Sequence, residues 1–247
     1  MASARQTRAV VSAGDSWSRT TDGPSTVFAS RSGGAYGSAW AVAASSGHTW
    51  EQSMAEPGAR TLESILRMYF RTNDENRPHL LAQVFSEAAR LETIVKTGGI
   101  AFPPVVTGLA AITESLVRNF GRTYENVYSF YLARPKPGAH PDTFACDWLV
   151  GMSAKQDGSI RVGCGRYDWH FQSDAHRLAD RLVITIEAMP VLAPDYLSRV
   201  LGWVTALPHP WCSAERILQT APAIESLAPI LAYVGRNGKS PRPRARP

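Results

Sequence analysis

Between residues 62 and 85 the apolar positions follow one register and then another. Leu62, Ile65, Leu66 and Tyr69 recur at helical spacing and predict a helix with one buried face. Asn73, Asp74 and Asn76 break it, because Asn and Asp side chains bond nearby backbone and favour caps and turns. Pro78 suits a first helical turn, and Leu81, Val84 and Phe85 give the predicted second helix its apolar side. Asp74 thereby falls at the junction of two inward-facing helices. A carboxylate there either caps the second helix or works as an acid/base group, and the pattern leaves both open.

Further along, residues 90–96 read as a strand ended by Gly98 and Gly99, with Pro103 and Pro104 in the loop beyond. Gly108 opens a third helix with Leu109, Ile112, Leu116 and Phe120 on one side and Gly121 as its stop. Strand-like runs follow at 124–132, 143–153, 160–171 and 176–189. In the second of these, Phe144, Cys146, Trp148, Val150 and Met152 share one face. Helices first and then antiparallel-looking strands on short turns predict an α+β fold, with one strongly curved, mostly antiparallel sheet around the N-terminal helices.

Past residue 192 the period returns to helical. Leu197, Val200, Leu201 and Val204 make one amphipathic helix, and 217–218 and 224–234 continue an apolar extension over 193–235. We expect it to cap the mouth of a pocket or to cover the outside of the sheet. Residues 1–58 are rich in Ser, Ala, Gly, Thr and Arg with no sustained period, a composition that favours disorder. Translation starting at Met54 and an organelle transit segment are the other readings of that stretch.

Charge changes this picture little. The chain of 247 residues carries a net +5, but residues 59–235 hold 17 basic and 17 acidic side chains. The excess lies in a basic, disordered tail at 236–247, so a basic nucleic-acid-binding face on the folded part is not expected. No apolar run reaches the length of about 18 residues that spans a bilayer. The three cysteines, Cys146, Cys164 and Cys212, are far apart and suit free thiols in a reducing, cytoplasmic setting.

The order of elements, with Tyr69, Arg71, Asp74, Leu81 and Phe85, then Gly108 with Ala111-Ile112, then Gly165-Arg166-Tyr167, resembles the SnoaL-like branch of the nuclear transport factor 2-like superfamily over residues 61–190. The resemblance implies a conical α+β barrel with an internal pocket, and a homodimer. The family includes isomerases, dehydratases, epoxide hydrolases and cyclases as well as non-catalytic subunits, so fold alone does not give function. Two departures stand out. Where the family often has an acid two positions past the tyrosine, this chain has Trp169, with Asp168 one step earlier on the opposite strand face. Where the family often has a histidine after the third helix, this chain has Tyr124 and Tyr128.

No metal-ligand spacing, phosphate loop or nucleophile elbow is present, and Gly163-x-Gly165 lies within a strand, where it marks a bend. The chemistry on offer is acid/base catalysis without cofactor or metal. Asp74 leads, placed by resemblance at a helix-junction acid that faces the pocket in several family enzymes. Arg166, Asp168 and His170 share one strand face against Tyr167, Trp169 and Phe171 on the other. If the polar face looks inward, His170 and Asp168 form a proton-transfer pair; if the aromatic face does, they form a solvated or subunit-contact surface. Asp147 carries the same ambiguity, and Tyr128 is a candidate oxyanion donor or a core aromatic. Two functions remain open. One is an isomerase, dehydratase, cyclase or C–C lyase acting on a small, largely apolar ring compound. The other is a non-catalytic ligand-binding or assembly module.

Overall fold

A computed structural model describes residues 60–138, 141–174 and 176–237. The expected disordered segment at 1–58 and nearly all of the basic tail lie outside the described residues. Helix α1 (Leu62–Asp74) begins at Thr61, whose hydroxyl accepts the Ser64 N–H at 3.2 Å, and buries the predicted face of Leu62, Ile65, Leu66 and Tyr69.

The predicted second helix is a single 3-10 segment, Pro78–Gln83, and the chain is already extended in β1 (Phe85–Val95). Phe85 belongs to the strand, paired with Ala179, and only Leu81 of the 3-10 segment is buried. Six residues turn too few times to present a helical face, so the aromatic and apolar residues at 84–85 follow the pleat instead. A short strand unread in the sequence, β2 (Val105–Thr107), runs antiparallel to β1.

The third helix starts at Gly108, whose φ of +90° favours glycine. It runs as α2 (Leu109–Thr113), a π-helical stretch Glu114–Asn119, and α3 (Phe120–Thr123). Gly121 does not stop it. Then come β3 (Tyr124–Tyr131), β4 (Thr143–Ala154), β5 (Ile160–Phe171), β6 (Ala179–Ala188) and β7 (Val191–Leu192). The sheet order is β2-β1-β6-β5-β4-β3, with β7 beside β5; among these described strands only β1 and β6 pair in parallel. The sheet is curved and unclosed, giving the expected α+β cone.

Each face of the sheet carries its own core. The inner face holds Trp148, Met152, Tyr167, Trp169 and Leu182 against α1, the 3-10 segment and Ile112. The outer face holds Phe130, Leu149, Ile160, Val162 and Cys164. These are covered by α4 (Leu197–Thr205), α5 (Ala214–Thr220) and α6 (Ala228–Asn237), chiefly through Val200, Trp203, Ile217 and Ile230. Of the two places foreseen for the extension, it takes the outer sheet.

One residue sets the facing of β3. Asn126 has φ +53°, and the β3–β4 register shifts between Glu125 and Tyr128. Such a bulge inserts one residue and reverses the alternation that follows. Tyr124 packs inward before it; after it Val127 and Tyr131 pack inward while Tyr128 and Phe130 join the outer core.

Candidate active site

Asp74 is the last residue of α1 and its carboxylate reaches β3. Oδ2 accepts the Ser129 backbone N–H at 2.9 Å and Oδ1 accepts the Ser129 hydroxyl at 2.8 Å. The 3-10 segment after it has no side-chain cap at Arg77, so capping is not what holds this carboxylate. Its side chain is 11% exposed. Burial pushes its pKa above the ordinary carboxylate range, while His209 and the two Ser129 donors pull the other way. The negative end of the α1 dipole adds to the upward push.

His209 comes from the extension. The Tyr131 N–H donates to Pro210 O at 2.8 Å and the Cys212 N–H donates to Tyr131 O at 3.0 Å, which lays residues 210–212 along the free edge of β3. His209 is thereby held with Nε2 3.9 Å from Asp74 Oδ2, beyond a direct hydrogen bond but close enough for an ion pair when the imidazole is protonated. Its ring meets Phe130 edge-on at 5.5 Å and lies 6.4 Å from the Phe70 ring.

Asp74 opens onto a cavity of about 70 Å³ inside the cone. Its polar lining comes from Asp74, Asn73, Tyr69, Thr93, Ser129 and Tyr167, and most of the rest is apolar, including Leu116, Met152 and Ile186. Tyr69 and Tyr167 meet edge-to-face at 5.8 Å, and burial raises both hydroxyl pKa values, so both remain proton donors through the physiological range. Asn73 Oδ1, Thr93 Oγ1 and Trp148 Nε1 are buried and make no hydrogen bond within the protein, and all three residues line this cavity. Buried polar groups are almost always satisfied, so three orphans around one chamber suit a polar group that enters it.

The remaining sequence candidates lie elsewhere. On β5 the aromatic face looks inward, with Trp169 fully buried and stacked on Phe171 at 5.9 Å. Arg166, Asp168 and His170 therefore sit on the outer face, away from the cavity. Arg166 Nε donates to Asp168 Oδ1 at 3.0 Å, and Arg166 Nη1 lies 3.9 Å from Asp147 Oδ1. Asp147, also on the outer face, accepts the Tyr233 hydroxyl at 2.8 Å and so ties α6 to the sheet. Burial raises its pKa, and Tyr233 and Arg166 oppose that. Tyr128 is on the outer face for the reason given by the bulge. Tyr131 is the inward tyrosine of β3, but its hydroxyl donates to Leu66 O at 3.1 Å and it does not line the cavity.

Ser129 and His209 were missed by sequence reasoning. Ser129 carried no signal beyond its place in a strand. His209 had one: it stands between two prolines, in Leu-Pro-His-Pro-Trp-Cys, inside an otherwise helical extension. Among the described residues no group of three or more His, Cys, Asp or Glu side chains is arranged to hold a metal ion.

No protein-family model matches the chain, and no curated protein matches it. Solved structures do resemble it. It is similar to a nuclear transport factor 2-like superfamily protein from Salmonella enterica serovar Typhimurium (TM-score 0.41, 15% identity, covering 51% of this chain and 88% of that one). It is similar also to a ketosteroid isomerase-like protein from Erwinia carotovora atroseptica (0.40, 10%, 54% and 98%). A third is a hexachlorocyclohexane dehydrochlorinase, LinA type 2 (0.40, 12%, 52% and 84%). None of these likenesses singles out the SnoaL-like branch.

Proposed function

We propose that this protein is a cofactor-free acid/base enzyme of the isomerase or lyase kind, acting on a small, largely apolar ring compound bound at the cavity. The carrying observation is the buried Asp74 carboxyl in the cavity wall, its pKa raised by desolvation and its two oxygens oriented by Ser129. A carboxyl tuned toward neutrality can both take and return a proton. In this reading Asp74 removes a proton from a substrate carbon. It returns the proton at another carbon, or the electron pair expels a leaving group. Tyr69 and Tyr167 donate hydrogen bonds to the oxygen on which charge develops. His209, when protonated, favours the ionised form of Asp74 from outside the chamber.

Two further parts of the reading are supported less directly. The three cysteines are free and buried, which suits a reducing, cytoplasmic setting; among the described residues no helix is long and apolar enough to cross a membrane. A homodimer would use the β1–β6 part of the outer face, since the extension covers β3–β5; Ile94 on β1 is 49% exposed there.

The test is the pH titration of Asp74 by carboxylate-resolved NMR, with Asp74→Asn as the assignment control. A midpoint above the usual carboxylate range supports the reading. A depressed midpoint removes its lead residue and favours a second one, a non-catalytic binding module. The narrowness of the cavity and the aromatic side chains of Trp148 and Tyr167 around it favour that second reading.

A further inference from the structure

A buried acid/base group needs a route by which its proton reaches water, and the cavity does not supply one for Asp74. Among the described residues the titratable side chains lining the cavity, Asp74 apart, are Tyr69 and Tyr167, whose hydroxyls burial keeps protonated. Tyr131 also feels the Asp74 charge, but burial raises its hydroxyl too, and that hydroxyl is committed to Leu66 O. Away from the cavity the surroundings differ. The Asp74 side chain is 11% exposed and that of His209 is 47% exposed, with Nε2 3.9 Å from Oδ2. His209 is not part of the cavity lining, so its ring stands between the buried carboxyl and the outside. The ring is held from both ends. Leu207 before it is buried in the outer core, and Pro210 after it is buried and accepts the Tyr131 N–H at 2.8 Å. Phe130 meets the ring edge-on at 5.5 Å, and Asp74 is the one acid paired with it among the described residues.

We infer that His209 is a proton relay, which carries the Asp74 proton to and from solvent while the cavity is occupied. The inference rests on the acid/base reading of Asp74 and deepens it: a hydrogen taken from a substrate carbon is exchanged for one from water before it is returned. The transfer balances. The Asp74 O–H bond breaks as an N–H bond forms at His209 Nε2; the imidazolium then gives a proton to water from its exposed side, and the carboxylate is left ionised. Imidazole is the side chain that ordinarily gains and loses a proton near neutral pH. The separation of 3.9 Å exceeds a hydrogen bond by about 1 Å, and such contacts are often long before substrate binds. His209 touches no substrate in this scheme and acts only through Asp74.

The test needs no substrate. In the full chain with isotope-labelled aspartate, NMR relaxation dispersion at the Asp74 midpoint measures the rate at which the carboxyl exchanges its proton. His209→Ala and His209→Gln, each read at its own midpoint, should slow that rate by about 100-fold, the order that a positioned proton-transfer group contributes. His209→Gln keeps most of the bulk and guards against a loss of folding in His209→Ala. Added imidazole should restore most of the rate in His209→Ala, where it occupies the vacated space, and add nothing to the wild type. A rate unchanged in both variants would overturn the inference, because the proton would then reach water without His209. Slowing that imidazole does not reverse in His209→Ala would overturn it too, leaving His209 a packing residue, as would equal acceleration of wild type and variant by imidazole. A high Asp74 midpoint with a rate indifferent to His209 would leave the acid/base reading in place and remove the relay. A low midpoint with exchange through His209 would do the reverse.

Discussion

Replacing Ser129 by alanine isolates the environment of Asp74. The substitution removes one donor, the hydroxyl at 2.8 Å from Oδ1, and leaves the backbone N–H on Oδ2. A hydrogen bond to a charged group contributes about 1.5–3 kcal/mol, one between neutral groups about 1. The ionised form of Asp74 thus loses about 0.5–2 kcal/mol beyond what the protonated form loses. At about 1.4 kcal/mol per factor of ten, its ionisation constant falls roughly two- to thirtyfold. The midpoint moves up, since the wild-type pKa is already raised by burial and one of the opposing contacts is gone. The sign for stability follows by linkage. A carboxyl whose folded-state pKa lies above its unfolded value near 3.8 gives stability that is fully present below that value and lost as pH rises through the folded-state midpoint. Ser129→Ala should therefore be destabilised by about 1 kcal/mol at pH 3–4 and by about 1.5–3 kcal/mol above the midpoint. Urea unfolding at several pH values measures the stability, and NMR of the Asp74 carboxyl carbon measures the midpoint. An unchanged midpoint, with a pH-independent loss of stability, would mean that water replaces the hydroxyl at no cost, and the desolvated chamber would have to be abandoned.

His209→Gln should also raise the Asp74 midpoint, since one of the contacts that favours the carboxylate, His209 with Nε2 3.9 Å from Oδ2, is lost; a downward shift in the same NMR titration would show that His209 does not stabilise the carboxylate. Asn126→Val places a β-branched residue at φ +53° and removes the Asn126 Nδ2 to Ser153 Oγ bond at 2.9 Å. It should cost about 2 kcal/mol or more in urea unfolding, whereas Asn126→Gly should cost about 1 or less, and equal costs would dismiss the left-handed bulge as the cause. Gly165→Ala would drive a Cβ into the Thr185 carbonyl oxygen and to 2.8 Å from Trp148 Cζ2. The β5–β6 register shifts between Cys164 and Gly165; a loss of about 3 kcal/mol is expected, and a loss below about 1 would mean that this irregularity relaxes to admit a side chain.

Periodic features were legible in the sequence, and long-range ones were not. The buried face of α1 and the inward row of Phe144, Cys146, Trp148, Val150 and Met152 were both readable, because helix and strand repeats are local and the core enforces them. The facing of the polar residues on β5 was ambiguous, since Arg166, Asp168 and His170 alternate as regularly as Tyr167, Trp169 and Phe171 do. What decides it is the bulk of the aromatic row, which fills the interior against Tyr69 and Phe85. Tyr128 could not be placed without Asn126. One left-handed residue reverses the parity of the strand, turning Tyr128 outward and bringing Ser129 round to Asp74.

Asp74 itself was legible, as a carboxylate at a break between two apolar segments, but the groups that tune it were not. Ser129 is a contact made across the fold by that bulge. His209 arrives from the extension, the part of the chain that lies beyond the resemblance, through two backbone hydrogen bonds to the edge of β3. The segment therefore has a structural and an electrostatic consequence at once: the pairing that covers a strand edge, a site otherwise open to unwanted pairing, also fixes an imidazole beside the buried carboxyl. A helix-junction acid can be recognised by its place in a pattern. Whether it works as an acid or a base depends on neighbours that no periodicity connects to it, and here those neighbours come from β3 and from residues past the last strand.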